Sequence, residues 1–340
     1  MPTVLKPNLI RLDEKGIYCP QASVYIDPWK PVTKAIITHA HADHARWGMK
    51  HYLAHEQSKE ILKYRLGKQI HLDTLPYEKV ITLNGVRISL HPAGHIPGSA
   101  QVRLEYKGEI TVISGDYKTE SDGMSTPFTP VPCHTFVSEC TFGLPVYRWE
   151  SQETIFRDLN QWWAKNGEEK RCSVVFAYSL GKAQRILRHL DQGMGPVFAH
   201  GAIWNTNEAL AADGVNLPKV EKVTQNIPKS SFANALILAP PSAAGSPWMK
   251  QFSPYRTAIC SGWMNIRGAR RRRAVDNGFV LSDHADWPGL NQAIEETGAE
   301  KILLTHGFQD VFARYLQGRG LKASVLDTIF QGESPDSEDT

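Results

Sequence analysis

Short runs of alternating apolar and polar residues dominate the first part of the chain. Ala35–His39 (AIITH), Val86–His91 (VRISLH), Gln101–Tyr106 (QVRLEY), Glu109–Asp116 (EITVISGD) and His134–Glu139 (HTFVSE) have the length and β-branched content of strands. Several end in a loop carrying His or Asp, so a rigid sheet would hold chemical groups at its strand ends. Near Val146 the rhythm changes. SQETIFRDLNQWWAKNG spaces its apolar residues for one helix face, with Ser151 as N-cap and Gly167 as stop. CSVVFAY, GPVFAHG, NALILAPP and RTAICSGW follow as continuous apolar runs, the pattern of strands buried on both faces of a parallel sheet. GFVLSDHAD and KILLTHG then return to the earlier style, separated by the helix DWPGLNQAIEETG with Asp286 as cap and Gly298 past its end. The simplest architecture is α/β: one domain made of residues 1–145 and 278–330, interrupted by an inserted α/β domain over 146–277. The acidic segment 331–340 is expected to be a flexible tail.

The densest chemistry is His39-Ala40-His41-Ala42-Asp43-His44, directly after a strand. Imidazole and carboxylate suit zinc. In extended or turn geometry His39 and His41 can point to one side, leaving Asp43 and His44 for a second ion. One cluster cannot fill two metal shells. His95 in Pro92-Ala93-Gly94-His95, Asp116 in Ser114-Gly115-Asp116 and His306 in Thr305-His306-Gly307 each follow a strand. Singly, each reads equally well as a turn former; after HAHADH, in this order, they read as further ligands.

This series resembles the motifs of metallo-β-lactamase-fold hydrolases, and Asp27 in Tyr25-Ile26-Asp27-Pro28 matches the aspartate that opens it. Ser138-Glu139-Cys140-Thr141-Phe142-Gly143, Ser282-Asp283-His284-Ala285-Asp286 and Thr305-His306-Gly307 resemble the later motifs of the β-CASP nucleases, and the individual wordings look most like bacterial DNA-ligase-associated exonucleases. The resemblance implies a metallo-β-lactamase αββα sandwich with an inserted β-CASP-like α/β cap. It implies two zinc ions, with manganese as an alternative: His39, His41 and His95 on the first, Asp43, His44 and His306 on the second, Asp116 bridging. Asp27 would orient a ligand, His284 would protonate the leaving oxygen or stabilise charge on the phosphate, and Glu139 would orient His284. Two zinc ions roughly 3.5–4 Å apart suit hydrolysis of an anionic phosphodiester.

Two further features favour a polyanionic substrate. Arg267, Arg270, Arg271, Arg272 and Arg273 lie just upstream of His284, and guanidinium forks fit phosphate oxygens. Ser179, Gly181 and Lys182 sit between a strand and a helix, where a Gly-Lys can grip one phosphate; the reading of the arginines as a solvated run and of this loop as an ordinary turn stays open beside these. A DNA exonuclease acting in repair on single-stranded or frayed ends is the leading expectation. His306 keeps an RNA-processing nuclease in view, because a histidine there is usual among the subgroup's RNA enzymes. A hydrolase of small esters, thioesters or lactams and a metal-free binding protein are weaker alternatives. The expected partner is nucleic acid, DNA over RNA; the resemblance alone implies a DNA ligase and a helicase.

Composition changes this little. Lys and Arg number 38 against 35 Asp and Glu, so any nucleic-acid face must come from clustering rather than overall charge. No signal-peptide core and no run near the roughly 20 apolar residues of a membrane helix occurs, so a cytoplasmic protein with no membrane partner is expected. Five widely spaced cysteines without a C-x-x-C read as buried reduced thiols. His51, His55 and His71 fall in a stretch that reads as helix and surface, and are not recruited as ligands.

Overall fold

The computed structural model describes residues 8–266 and 275–330. They form two compact units. The first comprises residues 8–121, 125–148 and 284–330; the second comprises 122–124 and the described part of 149–283. Both are mixed α/β. Among the described residues no helix is long and apolar enough to cross a membrane.

The first unit holds two sheets. In the first, β1 (Arg11–Asp13), β2 (Gly16–Cys19), β3 (Val24–Ile26), β4 (Lys34–Ile36), β5 (His51–His55) and β6 (Leu72–Leu75) lie side by side in chain order, antiparallel to β3 and parallel thereafter. His51–His55 is therefore strand, not the helix expected there. In the second, β7 (Ile81–Leu83), β8 (Val86–Pro92), β9 (Ala100–Tyr106), β10 (Glu109–Ile113) and β11 (Thr135–Cys140) are joined by β18 (Lys301–Gly307) and β19 (Lys322–Val325), in the order β19-β18-β11-β10-β9-β8-β7. β8, β10, β11 and β18 all run the same way, because β8 and β10 are both antiparallel to β9 and the other pairings are parallel.

Period-two alternation divides this second sheet between two cores. Val112, Phe136, Ile302 and Leu304 pack with Leu290, Ile294, Phe312 and Leu316 from the helices Trp287–Thr297 and Gln309–Gly318. The intervening Ile113, Val137 and Leu303 point the other way and share a cluster with Ile26, Ile36 and Leu75 of the first sheet. Asp286 caps its helix by accepting from the Gly289 N–H at 2.9 Å, and Gly298 ends it in the left-handed region, as the sequence predicts.

The second unit is built on a parallel sheet of β12 (Cys172–Phe176), β13 (Val197–Ala199), β14 (Glu221–Lys222), β15 (Leu236–Ala239), β16 (Tyr255–Cys260) and β17 (Asn277–Phe279), in the order β14-β13-β15-β12-β16-β17. β12 is buried throughout, with Val175 in one cluster and Val174 and Phe176 in the other. That is why its sequence is a continuous apolar run. β17 pairs with β16, so the residues after Asn277 first finish this sheet before the chain returns to the first unit at His284. The helix Gln152–Glu168 starts at the expected cap, Ser151, but runs through Gly167. A Cβ at Gly167 would collide with the Asn234 amide, so close packing rather than termination explains that glycine. All five cysteines are buried and unbridged.

Candidate metal centre

His39–His44 follows β4. The strand pairing continues through Ile37, whose N–H reaches the Leu53 carbonyl at 2.8 Å. The chain then turns, with the N–H groups of His44 and Ala45 both donating to the His41 carbonyl. The other chemical groups come from the second sheet. His95 lies three residues beyond β8, Asp116 three beyond β10, Glu139 within β11 and His306 within β18. Because those four strands run in one direction, all four groups emerge at one sheet edge.

Asp116, 2% exposed, is the hub. Its Oδ2 lies 3.5 Å from His39 Nε2 and 3.8 Å from His95 Nε2, and His95 Nε2 is 3.0 Å from His41 Nδ1. Its Oδ1 lies 3.0 Å from His306 Nε2 and 3.5 Å from His44 Nε2. One carboxylate therefore faces two groups of ligand atoms, His39–His41–His95 and His44–His306, each mutually close enough to hold a metal ion. Asp43 stands beside the second group, its Oδ2 3.6 Å from His44 Nε2.

The donor atoms fit a cation. His39 Nε2, His44 Nε2, His306 Nε2 and Asp116 Oδ1 are buried and have no hydrogen-bond partner. An unsatisfied buried polar atom costs about 1–3 kcal/mol, and three ring nitrogens converging on one carboxylate, itself with an unpaired oxygen, are what a bound ion would satisfy. Burial, then the neighbouring His44, hold His39 well below its ordinary pKa, in the neutral form that ligates. Burial would raise Asp116, but His44, His306 and His39 outweigh it and keep the carboxyl far below the usual range.

A second layer sets the tautomers. Asp27 Oδ1 accepts the Thr38 N–H at 2.8 Å, and Oδ2 accepts the Thr38 hydroxyl at 2.6 Å and His44 Nδ1–H at 2.8 Å. The Thr38 hydroxyl has one proton and gives it to Asp27, so at its 3.0 Å contact with His39 Nδ1 it must accept. His39 thus carries its proton on Nδ1 and turns a bare Nε2 toward Asp116. Thr305 repeats the device. Its hydroxyl donates to the Ser138 carbonyl at 3.3 Å and lies 3.3 Å from His306 Nδ1. Gly115 makes room for Thr38, since a Cβ there would sit 2.6 Å from the Thr38 hydroxyl, at a φ of +58°. Thr38 and Thr305 were not among the residues the sequence singled out. The available signal was position, each directly preceding a candidate ligand histidine. Phe330 was also missed: its ring stacks on His44 at 4.4 Å.

Glu139 and His284 form a separate buried pair. His284 Nδ1 sits 2.8 and 2.9 Å from the two Glu139 oxygens, which also accept the N–H groups of Tyr117 and Thr141. Burial opposes charge on Glu139, but His284 outweighs it and lowers its pKa. Asp116, Glu139 and His284 also lie within ligand range of one another. The His284 ring is 4.8 Å from that of His95.

The remaining sequence candidates lie elsewhere. Lys182 is 1% exposed; its ammonium pairs with Asp283 at 3.2 Å and lies 4.8 Å over the Tyr178 ring. Gln184 ties the loop together, accepting the Gly181 N–H at 2.7 Å and donating to the Ser179 carbonyl at 2.8 Å. The loop thus has an internal counter-ion and an internal cap, the arrangement of the ordinary strand–helix turn that stood beside the phosphate grip as a reading of this loop. Arg267 and Arg270–Arg273 lie outside the described residues.

The fold and these clusters define an α/β protein whose described histidine and aspartate side chains can hold metal. No protein-family model matches the chain. Over 92% of its length it is 28% identical to a probable DNA ligase of Opitutus terrae, of which it covers 30%. Over 36% of its length it is 28% identical to cleavage and polyadenylation specificity factor subunit 3 of Dictyostelium discoideum and 27% identical to the endoribonuclease YSH1 of Saccharomyces cerevisiae, covering 16% of each. The chain therefore spans less than a third of these relatives. A crystal structure of a protein of unknown function from Enterococcus faecalis shares the fold, with a TM-score of 0.55 at 12% identity over 88% of this chain and 78% of that one. The resemblance to β-CASP nucleases of the metallo-β-lactamase fold, read from the motifs, is borne out by these relatives and by the convergence of histidine and aspartate side chains that could hold a metal ion.

Proposed function

We propose that the chain is a two-metal nuclease that hydrolyses phosphodiester bonds of DNA, acting as an exonuclease on single-stranded or frayed ends during repair. In this reading the first unit is the αββα sandwich and the second its β-CASP-like cap. His39, His41 and His95 would hold one zinc or manganese ion, Asp43, His44 and His306 would hold the other, and Asp116 would serve both. Bound there, two divalent cations supply Lewis acidity and a nucleophile active at neutral pH. The protein's own part is orientation and proton delivery. Asp27, Thr38 and Thr305 fix which ring nitrogen each histidine presents. Glu139 holds His284 by Nδ1, leaving Nε2 to protonate the departing oxygen, a step typically worth about 10²–10⁴-fold.

The observation that carries the reading is the division of Asp116, one oxygen to each histidine group. The probable DNA ligase matched along nearly the whole chain supports DNA as substrate and a ligase as partner. The endoribonuclease relatives, matched over about a third of the chain, support RNA as the second reading. A gel assay with end-labelled single-stranded DNA and RNA, with and without chelator, tests both. Chelator-sensitive shortening of DNA from an end is expected. RNA cut in preference selects the second reading, and cleavage unaffected by chelator removes the metal centre from the argument.

A further inference from the structure

Three residues past the last histidine of the HAHADH loop stands Trp47, 76% exposed and the most exposed large apolar side chain among the described residues. Isolated exposed apolar residues need no explanation, but this one is mounted rigidly. Tyr52, 1% exposed, closes the turn beneath it: its hydroxyl accepts the Met49 N–H at 3.0 Å and donates to the Arg46 carbonyl at 3.0 Å. Arg46 in turn reaches back to the Asp43 carbonyl at 3.3 Å, tying this turn to the metal-binding loop. Gly48, at a φ of +103°, packs against Pro31 where a side chain would be strained.

Trp47 borders a cavity of about 730 Å³ whose wall includes Lys50, Lys68, His51 and His71. A second cavity of about 510 Å³ abuts it through Gly48 and Lys50 and adds Lys15 and Lys34. Among the described residues no Asp or Glu lines either one. The two imidazoles lie 5.7 Å apart. An open trough with several ammonium groups, no carboxylate and a fixed indole at its rim has the chemistry that tracks a sugar–phosphate backbone while stacking a base. A protein partner would ordinarily meet acids and bases interspersed; a run of one sign with a free aromatic face complements a single-stranded polyanion.

We infer that this trough, at the N-terminal ends of β4, β5 and β6 and so across the sheet from the HAHADH loop that follows β4, binds a single strand of DNA, with Trp47 stacking on a base and Lys50 and Lys68 pairing with phosphates. The substrate class rests on the nuclease reading above. The test is fluorescence anisotropy of a labelled, phosphorothioate-linked dT12 with the metal-loaded full chain, across a salt series, for wild type, Trp47→Ala, Trp47→Phe and Lys50→Gln/Lys68→Gln. Trp47→Ala should weaken binding roughly tenfold and Trp47→Phe should recover much of it. The double lysine variant should lower the salt slope by about 1.4, two single-strand phosphate contacts at about 0.7 each. Trp47→Ala binding within twofold of wild type, in protein with unchanged melting temperature and zinc content, overturns the inference, as does tighter binding of an RNA or duplex oligomer. Turnover of bis(4-nitrophenyl) phosphate by wild type reads the metal centre separately, so failure of the nuclease reading and failure of the trough are told apart.

Discussion

Asp27→Asn tests whether the second layer controls the metal centre. Asp27 is 2% exposed and contacts nothing that could be substrate; it accepts from the Thr38 N–H, the Thr38 hydroxyl and His44 Nδ1–H. Asparagine has the same shape but offers one acceptor oxygen and one NH₂. If the oxygen faces the Thr38 N–H, the NH₂ confronts two donors, the hydroxyl and the imidazole N–H. If it is flipped, the NH₂ confronts the backbone N–H. Either way charge-assisted bonds worth about 1.5–3 kcal/mol each are lost. His44 is then free to rotate or take the other tautomer, and the Thr38 hydroxyl can release His39. Loss of such outer partners typically costs about 10–100-fold in metal affinity, or about 1.4–2.8 kcal/mol. Competition with a chromophoric chelator measures this directly, and circular dichroism shows whether the fold persists. Zinc affinity within twofold of wild type in a folded Asp27→Asn protein would refute the claim that Asp27 sets the ligands. A His44→Ala control, expected to lose one of two zinc ions, calibrates the assay.

Thr305→Val keeps the side-chain volume but removes the hydroxyl between the Ser138 carbonyl and His306, so cobalt-substituted protein should bind the second ion roughly tenfold more weakly; an unchanged cobalt titration argues that the contact is incidental. Glu139→Gln should retain both metals yet slow DNA cleavage by about 10²-fold or more and change the pH profile, since His284 loses its anionic partner; loss of zinc would instead make that pair a ligand site. His55 is buried, stacks on Tyr77 at 3.5 Å and is pushed down to about 4 by that burial. The unfolded chain titrates it near its ordinary 6.5, so the folded form binds fewer protons between those values, and stability must fall as pH drops through that window. His55→Gln should flatten the melting-temperature profile between pH 6.5 and 4; an identical slope would mean other groups govern it.

The candidate ligand set was legible because its residue types are rare together and its loops interrupt clear strands. HAHADH announces itself by its density of imidazole and carboxylate, and His95, Asp116 and His306 are read as companions only in its wake. The pairing of Glu139 with His284 was readable only through resemblance, since 145 residues separate them. Thr38 and Thr305 were invisible for a physical reason: a threonine after a strand has the strand's own β-branched composition, and its hydroxyl acquires a role only once the neighbouring acceptor is in place. His51–His55 misled because a five-residue polar-tipped run carries no decisive period. The Gly-Lys loop left two readings open. Its sequence shows a cation at a helix start, whereas the counter-ion, Asp283, lies about a hundred residues on.

What converts scattered side chains into one centre is strand direction. His95, Asp116, Glu139 and His306 follow or end β8, β10, β11 and β18, which are parallel to one another, β10–β11–β18 as immediate neighbours. Neighbouring strands lie about 4.8 Å apart, so consecutive strand ends deliver their groups within a few ångströms of one another. Direction alone is not enough, because a one-residue slip would turn each group to the opposite face. Register is held by the cores on either side: Phe136 and Val137 face opposite clusters, as do Ile302 and Leu303. At the end of β11 the pairing shifts between Ser138 and Cys140, and Gly307, at a φ of +100°, packs against the Cys140 backbone where a Cβ would collide. That irregularity lets Glu139 and His306 leave the regular ladder together. Filling it, as Gly307→Ala would, should therefore move both the acid pair and the second metal group, which links apolar packing deep in the sheet to the chemistry at its edge.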